Sequence, residues 1–238
     1  MYHMVSTALK TSRFKGLRVA PDAFEQQIRF LHDNGWQFVT MSELIAHGST
    51  PPTKCVAITF DDGYEDNLTN ALPVLERYNA KATIYLVWDR HDRDWSVSRK
   101  SHHDSGELKH ERKLSDDQMH QLLASGLIEL GAHTLSHPNL RQLPPEQRRV
   151  EIQQCRTALE AHFNTPVASF AYPFGIYTQD DVQLVSEAGY TSAVTVAEGI
   201  PNPTTDSALE LPRIKVSGKD SFPEFRLKVR RGFRGVRS

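Results

Sequence analysis

Apolar runs of strand length alternate with stretches of helical period along nearly the whole chain, and this rhythm limits the possible folds more than any other feature. Strands are expected at 2–5, 38–40, 56–60, 82–87, 128–131, 169–171, 191–196 and 211–216. Such alternation builds right-handed β/α units around a mostly parallel sheet, open or closed. Eight strand segments favour a closed or nearly closed barrel. The 238 residues, 39% hydrophobic, can bury one sizeable core, so a single α/β domain over 1–238 is expected rather than two small ones.

The helices between the strands have recognisable ends. Pro21-Asp22 leads into Phe24, Ile28 and Leu31 at helical spacing, and that helix should end before Gly35. Ser115 with Gln118 three residues on forms a capping box ahead of Met119, Leu122 and Leu123. Further helices are expected at 67–78, 145–163 and 180–188, the last closed by Gly189. One segment, 88–113, breaks the rhythm with dense Asp, Arg, His, Lys and Ser. It follows a strand, so it reads as a long loop at the barrel end where binding loops gather, either a lid or a solvated insertion.

Charge narrows the partners. A net charge of −1 and a pI near 6.8 exclude the strongly basic field of a nucleic-acid binder. Only the tail, 225–238, is locally basic: Arg226, Lys228, Arg230, Arg231, Arg234 and Arg237 are interleaved with Leu227, Val229, Phe233 and Val236. It reads as a solvated terminal helix, or as a peripheral contact with an anionic membrane worth about 1 kcal/mol per basic residue. No secretory signal or 18-residue apolar span is evident, so the expectation is a cytoplasmic protein, free or at the inner membrane surface. Cys55 and Cys155 have neither metal-binding nor redox spacing and read as ordinary buried thiols.

Chemistry concentrates in two stretches, each after an apolar run: Thr59-Phe60-Asp61-Asp62-Gly63 and His133-Thr134-Leu135-Ser136-His137-Pro138. Alone, the first also fits a helix cap or solvated turn, and the second a pair of surface histidines. Together, two imidazoles and one carboxylate make a three-ligand metal site with a position left open, the pattern of catalytic zinc, and leave a second carboxylate as a base.

With Phe170-Ala171-Tyr172-Pro173-Phe174-Gly175, these motifs resemble the NodB-homology polysaccharide deacetylases, carbohydrate esterase family 4. The resemblance covers roughly 55–216, and Tyr2-His3 with Gly35-Trp36 is similar to members whose chain begins one strand earlier. It implies a distorted (β/α)7-type barrel. By the same resemblance Asp61 is the catalytic base, Asp62, His133 and His137 are the metal ligands, and the Phe174 N–H is an oxyanion donor. The implied cofactor is a divalent metal, zinc first, with Co2+, Ni2+, Fe2+ or Mn2+ acceptable to such a site. The implied reaction is attack of metal-activated water on an amide, removing N-acetyl groups from N-acetylhexosamine units of a glycan or lipid-linked sugar.

Two departures from the family pattern bear on mechanism. Many members carry an arginine, thought to orient the base, where this chain has Ala171. Many also end in a Leu-x-His motif whose histidine protonates the leaving amine, whereas here the segment is Leu211-Pro212-Arg213. Arginine does not readily give up a proton, so Arg213 could instead hold Asp61 or a substrate anion, and His3 is the candidate replacement acid. The family's Asp-bearing fourth motif is not evident around 192–196. Tyr64, Trp88, Trp95, Tyr172, Phe174 and Tyr177 are candidate sugar-stacking aromatics or plain core. Two rival functions share the scaffold: a deformylase or small-amide hydrolase, and a catalytically silent glycan-binding domain.

Overall fold

The structure, a computed structural model, describes residues 1–92 and 106–233. Two short strands, β1 (Gln37–Phe38) and β2 (Cys55–Val56), pair in parallel apart from the main sheet. The main sheet holds β3 (Ile58–Asp61), β4 (Ala82–Leu86), β5 (Ile128–Ala132), β6 (Ser169–Ala171), β7 (Ser192–Glu198) and β8 (Leu211–Arg213), all parallel and in chain order. Every residue of β3, β4 and β6 is buried, as expected for strands covered on both faces. Helices α1 (Pro21–Asp33), α2 (Met41–Ala46), α3 (Leu72–Arg77), α4 (Asp116–Ala124), α5 (Pro145–Phe163), α6 (Gln179–Glu187) and α7 (Phe222–Arg231) complete a single mixed α/β domain.

The sheet curls, and the N-terminal segment joins its two edges. Tyr2 N–H donates to the Thr59 carbonyl (2.8 Å), Asp61 N–H to the Tyr2 carbonyl (3.1 Å), and Val216 N–H to the Met1 carbonyl (3.0 Å). A strand was expected at 2–5, but only isolated bridges form, Tyr2 to Phe60 and Met4 to Arg18. The alternate residues turn to different partners, so no continuous ladder builds. The distorted barrel is thus six strands and a bridging segment rather than eight strands.

Two other expectations are corrected. The strand foreseen at 56–60 divides at Ala57, because Val56 pairs with β1 while Ile58 pairs with β4. The helix foreseen at 67–78 opens with a π-helical turn, Asn67–Ala71, before α3. Pro73 offers no N–H and its ring would crowd the carbonyl four residues back, which the wider turn relieves. That turn aims Asn67 Nδ2 at the His3 carbonyl (2.9 Å) and Asn70 Nδ2 at the Val5 carbonyl (2.8 Å), tying down the bridging segment.

Other local signals form as read. The Ser115–Gln118 capping box opens α4, with Gln118 N–H to Ser115 Oγ at 3.2 Å and Ser115 N–H to Gln118 Oε1 at 2.9 Å. Helix α5 spans the expected 145–163 and stops at left-handed Asn164.

The basic tail is not an unpartnered amphipathic face. In α7, Phe225, Lys228 and Val229 are buried, Phe222 and Phe225 pack on Phe30 of α1, and Lys228 Nζ pairs with Asp220 at 2.6 Å. The apolar side that would have lain on a membrane is covered by α1, leaving Arg226, Arg230 and Arg231 exposed, while 234–238 lie outside the described residues. Among the described residues, no helix is long and apolar enough to cross a membrane. Both cysteines are free thiols.

Candidate active site

The chemistry-bearing residues meet at the C-terminal ends of the strands. Asp61 ends β3 and Asp62 follows it, His133 follows β5, His137 lies four residues on, Phe174 lies in the turn after β6, and Arg213 ends β8. This is the end of a β/α barrel where loops can converge on one pocket.

Asp62 Oδ1 stands 3.4 Å from His133 Nε2 and 3.4 Å from His137 Nε2, and all three residues are buried. His133 Nδ1 lies 2.7 Å from the Ala171 carbonyl, which can only accept, so Nδ1 carries a proton and, in the neutral ring, Nε2 presents a lone pair to Asp62. A carboxylate oxygen and an imidazole lone pair facing each other are mutually repulsive unless a positive charge lies between them. The donor set therefore fits a cation, and the three ligand atoms fall within 4.8 Å of one another.

Without a cation, a proton can fill the same gap, and the titration shifts are those of a cluster bridged in that way. Burial would raise the Asp62 carboxyl, but the hydrogen-bonded His133 and the other imidazoles hold it well below the usual carboxylate range. For His133, burial is outweighed by the hydrogen bond and charge of Asp62, so its pKa is raised. His137 is pushed down to about 3, first by burial and then by His133.

The backbone here is unusual. Asp62, Thr134, His137 and Phe174 take φ values of 79°, 67°, 57° and 57°. Left-handed non-glycine residues cost about 1–3 kcal/mol each and persist only when their surroundings hold them. Thr134 Oγ1 accepts from His137 N–H (3.0 Å), stapling the histidine loop, and the Phe174 ring sits 4.5 Å from the His137 ring.

Asp61 is not one of the three, but it lies close enough for its charge to act on His133. Arg213 Nη1 reaches its Oδ1 and Nη2 its Oδ2, each at 2.7 Å. The same guanidinium donates to Thr59 Oγ1 (3.1 Å) and to the Thr195 carbonyl (2.9 Å). Burial would raise Asp61, but the Arg213 charge and hydrogen bonds outweigh it and keep the carboxyl below its ordinary pKa. The position that carries arginine in many family members is Ala171 here, and the carboxylate is instead gripped from β8. Of the two options open to Arg213 in the sequence, contact with Asp61 is the one formed.

His3 lies half-buried at the same end, close enough for Asp62, Asp61, Arg213 and His133 all to act on it, and burial lowers its pKa. Tyr64 and Tyr172 are each only 1% exposed, so neither offers a free ring face to a sugar. Tyr172 is stacked on Tyr177 with ring centroids 4.1 Å apart. Tyr64 packs with Met4, Val87 and Leu108, and burial and then the Asp62 carboxylate push its phenol well above the usual pKa. Trp88 packs against the main core, and Trp95 lies outside the described residues. The contributions of Thr195 and Ala171 escape sequence reasoning, since each acts through a main-chain carbonyl with no side-chain signature.

A curled parallel β/α barrel with a buried Asp-His-His triad at its C-terminal rim, beside a second carboxylate, defines the carbohydrate-deacetylase class of hydrolase barrel. The comparisons with known proteins agree. A family model described as polysaccharide deacetylase matches residues 48–193. YxkH of Bacillus subtilis (strain 168), which carries the family's name, is 31% identical over 220 residues, covering 91% of this chain and 70% of that protein. A poly-beta-1,6-N-acetyl-D-glucosamine N-deacetylase of Staphylococcus epidermidis is 26% identical over 228 residues, covering 92% and 74%. Among solved structures, the Streptococcus pyogenes deacetylase PplD in complex with acetate superposes with a TM-score of 0.78 at 27% identity, covering 96% of this chain and 95% of that one. This chain belongs to the polysaccharide deacetylase family, whose members are metal-dependent hydrolases of carbon–nitrogen bonds.

Proposed function

We propose that this protein removes acetyl groups from N-acetylhexosamine units of a glycan polymer, with a divalent cation, zinc first, held by Asp62, His133 and His137. The observation that carries this reading is the convergence of three ligand atoms within 4.8 Å of one another, with Asp62 Oδ1 at 3.4 Å from each imidazole Nε2. Donor atoms this close together could share one zinc ion at the usual ligand distances of about 2.0–2.2 Å. When bound, the cation supplies Lewis acidity and lowers the pKa of a coordinated water from 15.7 towards about 7.

The remaining work falls to this chain's own groups. Asp61, ionised because Arg213 holds it so, accepts the proton of the attacking water. The Phe174 N–H, turned by its left-handed backbone, is the donor for the developing oxyanion. A carbon–oxygen bond forms to the carbonyl carbon, the carbon–nitrogen bond breaks, and the abstracted proton must reach the leaving amine. His3, neutral when buried, is the group to receive that proton and deliver it. The products are acetate and a free amine.

A polymeric substrate is favoured over a lipid-linked one at a membrane surface. The Staphylococcus epidermidis relative is named for a polymer, and the apolar side of α7 is already packed on α1. The comparisons favour neither a deformylase nor a silent binding domain.

The test is acetate release from a β-1,6-linked N-acetylglucosamine oligomer, abolished by chelation and restored by zinc. Tight oligomer binding without released acid from the zinc-loaded protein would overturn the assignment.

A further inference from the structure

The loop bearing both imidazoles, 133–137, holds two left-handed residues, Thr134 and His137, and something outside the loop must keep them there. Its outer side is gripped by one residue of α5. Leu135 N–H donates to the Glu151 carbonyl (3.2 Å), Ser136 N–H to Glu151 Oε2 (2.9 Å), and Ser136 Oγ to Glu151 Oε1 (2.6 Å). Both carboxylate oxygens are thus engaged by a single serine placed next to His137. Charge-assisted hydrogen bonds of this kind are about twice as strong as neutral ones and more directional.

On another side the loop is held by main-chain hydrogen bonds, and Leu135 packs against the core. Trp88 N–H donates to the Thr134 carbonyl (3.2 Å) and Asp89 N–H to the Leu135 carbonyl (2.7 Å). Those bonds set where the loop sits but not how it rotates about its own axis. Rotation matters, because the His133 ring is fixed by the Ala171 carbonyl, while His137, stapled to Thr134 and packed on Phe174, also follows the turn through Leu135 and Ser136. Helix α5 is anchored beneath by buried Ile152, Cys155 and Leu159, so Glu151 projects from a rigid base.

We propose that Glu151 is a positioning residue for the metal centre, locking the Ser136 turn so that His137 Nε2 meets the same point as His133 Nε2 and Asp62 Oδ1. The inference rests on the metal-site reading above. Groups that orient ligands in this way typically change metal affinity 10- to 100-fold when removed. Neither Glu151 nor Ser136 touches the ligand atoms, so their effect must travel through loop geometry.

The test measures zinc affinity by competition with a chromophoric chelator, alongside thermal unfolding of the metal-free protein, for wild type, Glu151→Ala, Glu151→Gln and Ser136→Ala. Wild type should bind one zinc, and failure there would sink the metal-site reading itself rather than this inference. Glu151→Ala should weaken zinc binding roughly 10- to 100-fold. Glu151→Gln, which keeps one acceptor, and Ser136→Ala, which keeps the N–H donor, should each lose less. The Glu151→Ala/Ser136→Ala double variant should be no worse than Glu151→Ala alone, since both act through one contact. Unchanged zinc affinity in Glu151→Gln and Ser136→Ala would overturn the proposal. So would a loss confined to variants whose metal-free form is already unfolded.

Discussion

Arg213 and Asp61 form a two-pronged ion pair, both N–O distances 2.7 Å, between the last and first strands of the curled sheet. These edge strands share no ladder; Arg213 also donates to Thr59 Oγ1 across the seam, and the N-terminal segment adds further links. One contact therefore orients the proposed base and helps close the barrel.

Replacing Arg213 should affect both roles. Arg213→Ala leaves a buried carboxylate without its partner, a loss of about 3–5 kcal/mol by denaturant unfolding. Arg213→Lys keeps the charge but not the fork, so it should retain most of the stability while turnover falls up to roughly 100-fold through a misplaced base. Wild-type turnover in Arg213→Lys would show that orientation of Asp61 is not rate-determining.

The two adjacent aspartates should separate cleanly. Asp62→Ala or His137→Ala should purify without metal, whereas Asp61→Asn should keep it and lose roughly 100-fold or more in turnover. Metal content by elemental analysis and acetate release decide this. Stoichiometric metal in both ligand variants would refute the ligand assignment.

Gly175 has φ +64°, and a Cβ there would come 2.1 Å from Val196 Cγ2. Gly175→Ala should cost more than about 1 kcal/mol in stability. It should also depress turnover more than metal affinity, because the turn that presents the Phe174 N–H shifts. A melting temperature and turnover equal to wild type would show that the turn tolerates the change.

Asp66 carries a pH signature of its own. Burial pushes its carboxyl up to about 6, so the fold prefers the neutral form. The stabilisation is complete below the ordinary value near 4 and is lost as pH rises through about 6. Wild type should therefore weaken relative to Asp66→Asn by on the order of 2 kcal/mol between pH 4 and pH 8. Urea unfolding at the two pH values measures the difference, and parallel curves would remove Asp66 from the account.

How much could be read from the chain depended on the range of the interaction. Helix α5 and the Ser115–Gln118 box are set by neighbours within a few residues, and they stand where the sequence placed them. That the aspartate pair and the two histidines would meet was legible because each motif follows a strand and a parallel barrel gathers strand ends, while the choice of Asp62 over Asp61 came from the family resemblance. The fork of Arg213 on Asp61 spans 152 residues, so the sequence could name it only as one of two options. The grip of Glu151 on Ser136 left no local mark, since a glutamate in a helix resembles any solvated position. The N-terminal strand failed because propensity cannot show that Tyr2 and Met4 bond to different partners.

The ring of His133 takes its orientation from the carbonyl of Ala171, not from a side chain. Mutational drift at position 171 can change what hangs from the chain there without erasing that acceptor. The choice of imidazole tautomer is thus inherited from the architecture, and it should survive sequence changes that would disarm a site oriented by a carboxylate.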